Sequence, residues 1–416
     1  MITLRINSQR FWNRIHTMAQ IGATPNGGVN RLALTHQDKL CRDLFIQWAK
    51  SMGCQTRVDS MGNIFVRLEG LDHTLPPILF GSHLDSQPTG GKYDGSLGVL
   101  AGLELIETLI ENNYVPEYPL ELVSWTSEEG ARFTPAMISS GVFGNVFSLD
   151  YAHNRTDENG MTIKKALEKI GYLGREIPYN RKCSGYFELH IEQGPILDKQ
   201  KKSIGIVQGV QGIRWYELTV KGQEVHAGPF PMNMRKDPIR ILPTILTSLY
   251  NLSNRFGEDA RLTIGKMNTV PGSQNTVPHS VSIAIDIRHP HKDILTQMHH
   301  GVNQIIKECQ NSTDLEIKIQ EIWHCPPIAF DLQCIQAIKK ATRSLALSSL
   351  EMVSGAGHDA VYLSKVTPTA MIFIPCKDGI SHNERESITK TDAVNGANVL
   401  LWSILHYIDH LSSNKT

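Results

Sequence analysis

Five side chains able to bind a metal stand in short, chemically dense stretches: His83 and Asp94 in GSHLDSQPTGGKYDG, Glu129 in WTSEEGARF, His190 in FELHIEQG and His382 in GISHNERE. A second carboxylate, Glu128, directly precedes Glu129. Imidazole and carboxylate donors suit a divalent cation. Hydrolysis of an inert amide needs such an ion to acidify water and a free base to take its proton. Asp94 has two oxygens and could bridge two ions about 3.5 Å apart, the usual spacing in two-metal hydrolases. Asp85 could hold the second ring nitrogen of His83 and fix its tautomer. Neighbouring side chains in an extended or turning segment point apart, so one of Glu128 and Glu129 can ligate while the other faces substrate. A strand-end histidine by itself is usually structural, and an acidic pair by itself is usually solvated. The set points to a hydrolase with two metal ions.

The elements that must position these residues follow from periodicity and turn signals. Two amphipathic helices are expected near 7–20 and 36–53, separated by TPNGGVNR. IFVRLEG, PPILFGSH and LELVSWT then read as strands, with a helix over 96–112. This alternation predicts an open α/β sheet whose ligands gather at the carboxyl ends of strands, where His83 and the Glu128–Glu129 pair fall. From about Trp215 the order becomes WYELTVKGQ, helix 236–256, RLTIGKMNTV, TVPHSVSIAIDIRH, helix 291–310 and LEIKIQEIWH. A βαββαβ order of this kind is the ferredoxin-like signature. Helix 331–346, strand TAMIFIPC and a helix near 389–412 resume the first texture. The expected organisation is a catalytic domain over 1–211 and 330–416, interrupted by an inserted α+β domain over 212–329.

Composition excludes several classes. A chain of 416 residues favours two domains. Lys plus Arg equals Asp plus Glu at 41 each, so no global field recruits nucleic acid or a membrane surface. The seven cysteines are scattered, with no CxxC pair, so neither a disulfide framework nor a thiolate zinc site is indicated. The first twenty residues carry Arg5, Arg10 and Arg14 in place of an apolar signal stretch. A cytoplasmic protein without membrane or nucleic-acid partners is expected.

In GSHLDSQPTGGKYDG, EEGARF, HIEQGPIL, GQEVHAGP, DIRHP, SGAGHDA and IPCKDGISHNE the chain resembles the hydantoinase/carbamoylase branch of the dinuclear-zinc aminoacylase/carboxypeptidase-type amidohydrolases. The seven blocks occur in that branch's order across nearly the whole chain. The resemblance implies a mixed-sheet dinuclear metallohydrolase domain with an inserted lid and dimerisation domain, and a homodimer formed through the latter. It also implies His83, Asp94 and His190 around one ion, and Asp94, Glu129 and His382 around the other, with Glu128 as general base. Two divalent ions are implied, zinc foremost, with manganese, cobalt or nickel compatible.

For substrate, the resemblance implies that Arg288 grips a carboxylate bidentately. It further implies that His226 stabilises the oxyanion and that Gln193, Asn275 and Gly357 make contacts; His358 has a structural reading of equal weight. With the metals in one domain and Arg288 and His226 in the other, domain closure would complete the site. Three positions depart from the branch's pattern: Ser127 for a frequent asparagine, Phe230 for threonine and His279 for glycine. The expected substrate is an N-carbamoyl amino acid, either an L-α-amino acid or β-alanine derivative. Allantoate is the alternative, an aminoacylase or dipeptidase activity comes third, and a non-catalytic binding homologue is the reading from another class.

Overall fold

The computed structural model describes residues 4–178 and 181–413. The chain divides into two compact units, Met1–Gly209 with Ala329–Thr416, and Val210–Ile328; the sequence reading drew these junctions at 212 and 330. The strands in chain order are Gln55–Val58 (β1), Ile64–Leu68 (β2), Ile78–His83 (β3), Leu120–Trp125 (β4), Gly185–Ile191 (β5), Ile204–Val210 (β6) and Gly212–Lys221 (β7). They continue with Val225–His226 (β8), Arg261–Val270 (β9), Thr276–Val277 (β10), Ser280–His289 (β11), Glu316–Cys325 (β12), Ile328–Ala329 (β13), Ser349–Ser354 (β14) and Thr369–Ile374 (β15).

The first unit is built on a mixed sheet in the order β1-β2-β4-β3-β5-β15-β6-β13, with β14 joined to β6. Its centre, β4-β3-β5-β15, is parallel, and β2 and β6 flank it antiparallel. Every residue of those four central strands is buried, which accounts for the apolar residues on both faces of ILFGSH, LELVSW and TAMIFI, with Ser82, His83, Glu121 and Ser124 buried among them. Helices Ser96–Glu111 and Lys390–Ser413 pack against these strands. Parallel strands end at the same edge of a sheet. Residues that follow β3, β4, β5 and β15 therefore converge without any long excursion of the chain.

The second unit has the split order β12-β7-β11-β9, antiparallel throughout. Alternate residues Ile283, Ile285 and Ile287 of β11 pack with Ile245 and Leu249 of helix Leu242–Asn254 and Met298 and Val302 of helix Lys292–Asn311. The intervening residues face the opposite side of the sheet. TVPHSVSIAIDIRH, expected as one strand, splits into β10 and β11, because Thr276–Val277 pairs instead with Val225–His226. The first unit also contains the short helices Ile138–Phe143, Leu149–His153 and Ile163–Ile170, which were not among the expected elements. The first two are too short to show a 3.6-residue period, whereas Ile163, Ala166, Leu167 and Ile170 of the third do repeat at helical spacing.

Candidate active site

His83 ends β3, and its Nδ1 donates to the main-chain carbonyl of Asp85 at 2.9 Å. That bond leaves Nε2 as the lone-pair donor, 3.6 Å from Asp94 Oδ1 and 3.6 Å from Glu128 Oε2. The role expected of the Asp85 carboxylate thus falls to its carbonyl. The carboxylate, 3.9 Å from Nδ1, instead accepts the main-chain N–H groups of Glu128 and Glu129 at 3.2 and 3.3 Å. It fixes the turn that aims the acidic pair.

His190, in β5, repeats the His83 pattern. Its Nδ1 donates to the Ile191 carbonyl at 3.0 Å, and Nε2 lies 3.2 Å from Asp94 Oδ1. The other oxygen of Asp94 faces His382, which follows β15: Nε2 is 3.4 Å from Asp94 Oδ2 and 3.3 Å from Glu129 Oε2. Two groups that could each hold a metal ion result, His83–Asp94–His190 and Asp94–Glu129–His382, the ligand atoms within each lying within 4.8 Å of one another. Gly95 makes the approach possible. It sits at φ +62°, and a Cβ there would lie 2.4 Å from the His83 ring.

Charge and burial support cation binding. Burial raises Glu129, and the neighbouring Asp94 charge adds to this, bringing it to about 7. Burial also pushes Glu128 well up, with Asp359 and Glu129 reinforcing and His83 opposing. Burial would raise Asp94 too, but hydrogen bonds with His190, His382 and His83 hold it well below the usual carboxylate range. Packed, buried carboxyl groups facing imidazole nitrogens are the donor set of a divalent cation.

Around the two sets lie residues that motif reading missed. Gln87 donates to Glu129 Oε2 at 2.7 Å. Glu386 accepts the N–H groups of Tyr93 and Asp94 at 2.9 and 3.1 Å and the Ser381 hydroxyl at 2.9 Å, tying the Asp94 loop to the His382 loop. A Cβ on Gly91 would lie 2.0 Å from the Glu386 carboxyl carbon, so the glycine keeps that tie open. The signal for Glu386 was its place four residues after His382 in one motif. Asp359 is wholly buried.

Gln193 lies at the same site, its Nε2 2.9 Å from Asp94 Oδ2 and 3.4 Å from His382 Nε2. Gly357 abuts the end of the Met137 side chain. His358 is buried with its ring 4.5 Å from that of His190 and its Nε2 3.1 Å from Ser354 Oγ. Burial and His190 keep it neutral by lowering it far below the usual histidine range. Ser127 adopts φ +58°, a left-handed conformation that asparagine tolerates better than serine. His279 has no positive φ, so glycine is not required there.

His226, Asn275 and Arg288 belong to the second unit. The β8–β10 ribbon pairs His226 with Thr276, beside Asn275, and both His226 and Asn275 are exposed. Gly228 N–H donates to His226 Nδ1 at 3.0 Å. Arg288, on the face of β11 away from the helices, forks onto Asp286 through Nε at 3.0 Å and Nη2 at 2.8 Å.

A family model described as peptidase family M20/M25/M40 matches residues 79–406. The chain belongs to this family. Relatives within M20/M25/M40 sharpen the placement. N-carbamoyl-L-amino-acid amidohydrolase of Rhizobium meliloti is 40% identical over 401 residues, 96% of each chain. Allantoate amidohydrolase of Bacillus subtilis is 36% identical over 375 residues, 89% of this chain and 91% of the relative. The crystal structure of a hydantoinase/carbamoylase family amidase from Burkholderia multivorans matches with a TM-score of 0.93 at 45% identity, covering 97% of this chain and 98% of that one. The mixed α/β architecture of this M20/M25/M40 chain is therefore that of the hydantoinase/carbamoylase amidases.

Proposed function

We propose that the protein hydrolyses the carbamoyl C–N bond of N-carbamoyl amino acids, giving the free amino acid, carbon dioxide and ammonia. The observation that carries this reading is Asp94, whose Oδ1 faces His83 and His190 while Oδ2 faces His382. One carboxylate thus serves two ligand sets. His83, Asp94 and His190 would hold one divalent cation and Asp94, Glu129 and His382 the other, zinc being the first choice and manganese, cobalt and nickel compatible. The pair supplies Lewis acidity at the carbamoyl group and lowers the pKa of water.

The chain's own groups do the rest. Glu128, beside the first ligand set yet outside both, takes the proton of the attacking water and passes it to the departing nitrogen. Arg288 holds the substrate carboxylate, exchanging part of its grip on Asp286 for a second anion. His226 stabilises the negative charge that develops on the carbamoyl oxygen. Gln193, Asn275 and Gly357 orient the substrate. The second unit joins two copies into a homodimer, and the protein works in the cytoplasm; among the described residues no helix is long and apolar enough to cross a membrane.

The Bacillus subtilis relative favours allantoate as the second reading. Ammonia release from N-carbamoyl-L-amino acids, N-carbamoyl-β-alanine and allantoate, after chelation and stepwise metal return, separates the two. Metal-dependent turnover of a carbamoyl amino acid is expected. Turnover of allantoate alone would replace the first reading with the second, and full activity without metal would remove both.

A further inference from the structure

We propose that Trp215 and Trp323 form an apolar subsite that selects N-carbamoyl-α-amino acids with large apolar or aromatic side chains. This names the substrate class and rests on the carbamoyl-hydrolase reading above, including the role given there to Arg288.

The first observation is exposure. Alternation along β7 and β11 turns Tyr216, Leu218, Ile283 and Ile285 into the core. The opposite face carries small or polar residues such as Glu217, Thr219, Ser282 and Ala284. On that face Trp215 and Trp323 are each 39% exposed, with rings 4.7 Å apart. Paired indoles left open to water on a polar sheet face cost solvation and are a mark of binding surfaces.

The second observation is a ladder irregularity. Along β12 and β7, Glu321 opposes Tyr216, yet Trp323 rather than Ile322 opposes Trp215. In uninterrupted pairing Ile322 would share the face of Trp215, and Trp323 would turn toward the helices. The extra residue re-aims the second indole onto the same face as the first. Bulges commonly serve this purpose beside functional sites.

The third observation is register. Trp215 opposes Asp286 across β7 and β11, and Asp286 holds the Arg288 guanidinium. A carboxylate-binding group and an aromatic surface are therefore neighbours on one rigid sheet. A ligand with a carboxylate and a bulky apolar group on the same carbon satisfies both. N-carbamoyl-β-alanine brings the carboxylate without a side chain, and allantoate is polar throughout, so neither covers the indoles.

The test compares kcat/KM of the metal-loaded, full-length enzyme for N-carbamoyl-L-phenylalanine, N-carbamoyl-L-leucine, N-carbamoylglycine, N-carbamoyl-β-alanine and allantoate. The wild type should prefer the phenylalanine and leucine compounds over the glycine compound by at least about tenfold. In Trp215→Ala and Trp323→Ala that ratio should fall about tenfold, mainly through KM, while Trp215→Phe keeps most of it. A measurement without a tryptophan variant guards against misfolding: in Glu128→Gln, intrinsic tryptophan emission should shift with N-carbamoyl-L-leucine and not with N-carbamoylglycine. Equal use of glycine and phenylalanine compounds overturns the proposal, as does an equal loss on every substrate. A change of assembly mass in the alanine variants also overturns it, by making the rings an interface between copies. Absence of ammonia from every carbamoyl substrate is a different result, which overturns the hydrolase reading itself.

Discussion

At the carboxyl ends of β3 and β5, and in the loop after β3, His83, His190 and Asp94 are almost wholly buried, and each points at the others. In the second unit, His226 and Asn275 stand exposed on a two-residue ribbon, and Arg288 lies on an open sheet face. The histidines of the first set are held by main-chain carbonyls that cannot rotate away. The second has local partners that a ligand must displace or share. A buried, mutually satisfied cluster suits chemistry that needs fixed geometry, whereas exposed groups suit recognition, where the partner arrives with the substrate.

The sharpest way to break that contrast is Glu128→Gln. It should retain both metals and bind substrate while kcat falls about a thousandfold or more; wild-type turnover would show that Glu128 is not the base. Arg288→Ala should raise KM for carboxylate substrates about a hundredfold with a smaller change in kcat, measured by steady-state kinetics. If kcat alone falls, Arg288 acts in chemistry and the division between the units fails.

Smaller effects probe how rigidly the first cluster is held. Glu386→Gln should weaken metal binding about tenfold, read by metal competition with a chromogenic chelator, because it loosens the tie between the Asp94 and His382 loops. The mildest effect is in proton balance. Without metal, the hydrogen bond with Asp94 raises His382, and the Glu129 charge adds to this while burial opposes, bringing it to about 9. It therefore carries a proton at pH 7.5 that a cation must displace. Metal affinity should fall as pH drops below about 9, and calorimetry in buffers of different ionisation enthalpy should show proton release on binding. No release would mean that His382 is not a ligand.

Much of the first unit was legible because its central strands, buried on both faces, are rich in apolar residues, with His83 closing one and Glu128 following another that ends at Trp125. His190 was legible only through its motif, since the strand around it, GYFELHI, mixes Glu188 and His190 into a fully buried element. Nothing local marks those polar residues as interior. Glu386 and Gln87 were overlooked for a related reason: each works by hydrogen bonds to a loop far away in sequence. The split of β10 from β11 was hidden because TVPHSVSIAIDIRH has strand texture throughout, and only the partner strands differ.

Residue types, their spacing and the order of strands and helices determined the chemistry available here: imidazoles and carboxylates on an α/β scaffold with a ferredoxin-like insertion. These are properties of covalent order and local periodicity, which a chain carries unfolded. Only folding decided that Asp94 presents one oxygen to each ligand set, that the Asp85 carbonyl rather than its carboxylate holds His83, and that a bulge brings Trp323 beside Trp215. Such facts depend on which distant segments pack together and in what register, and no stretch of sequence contains both partners.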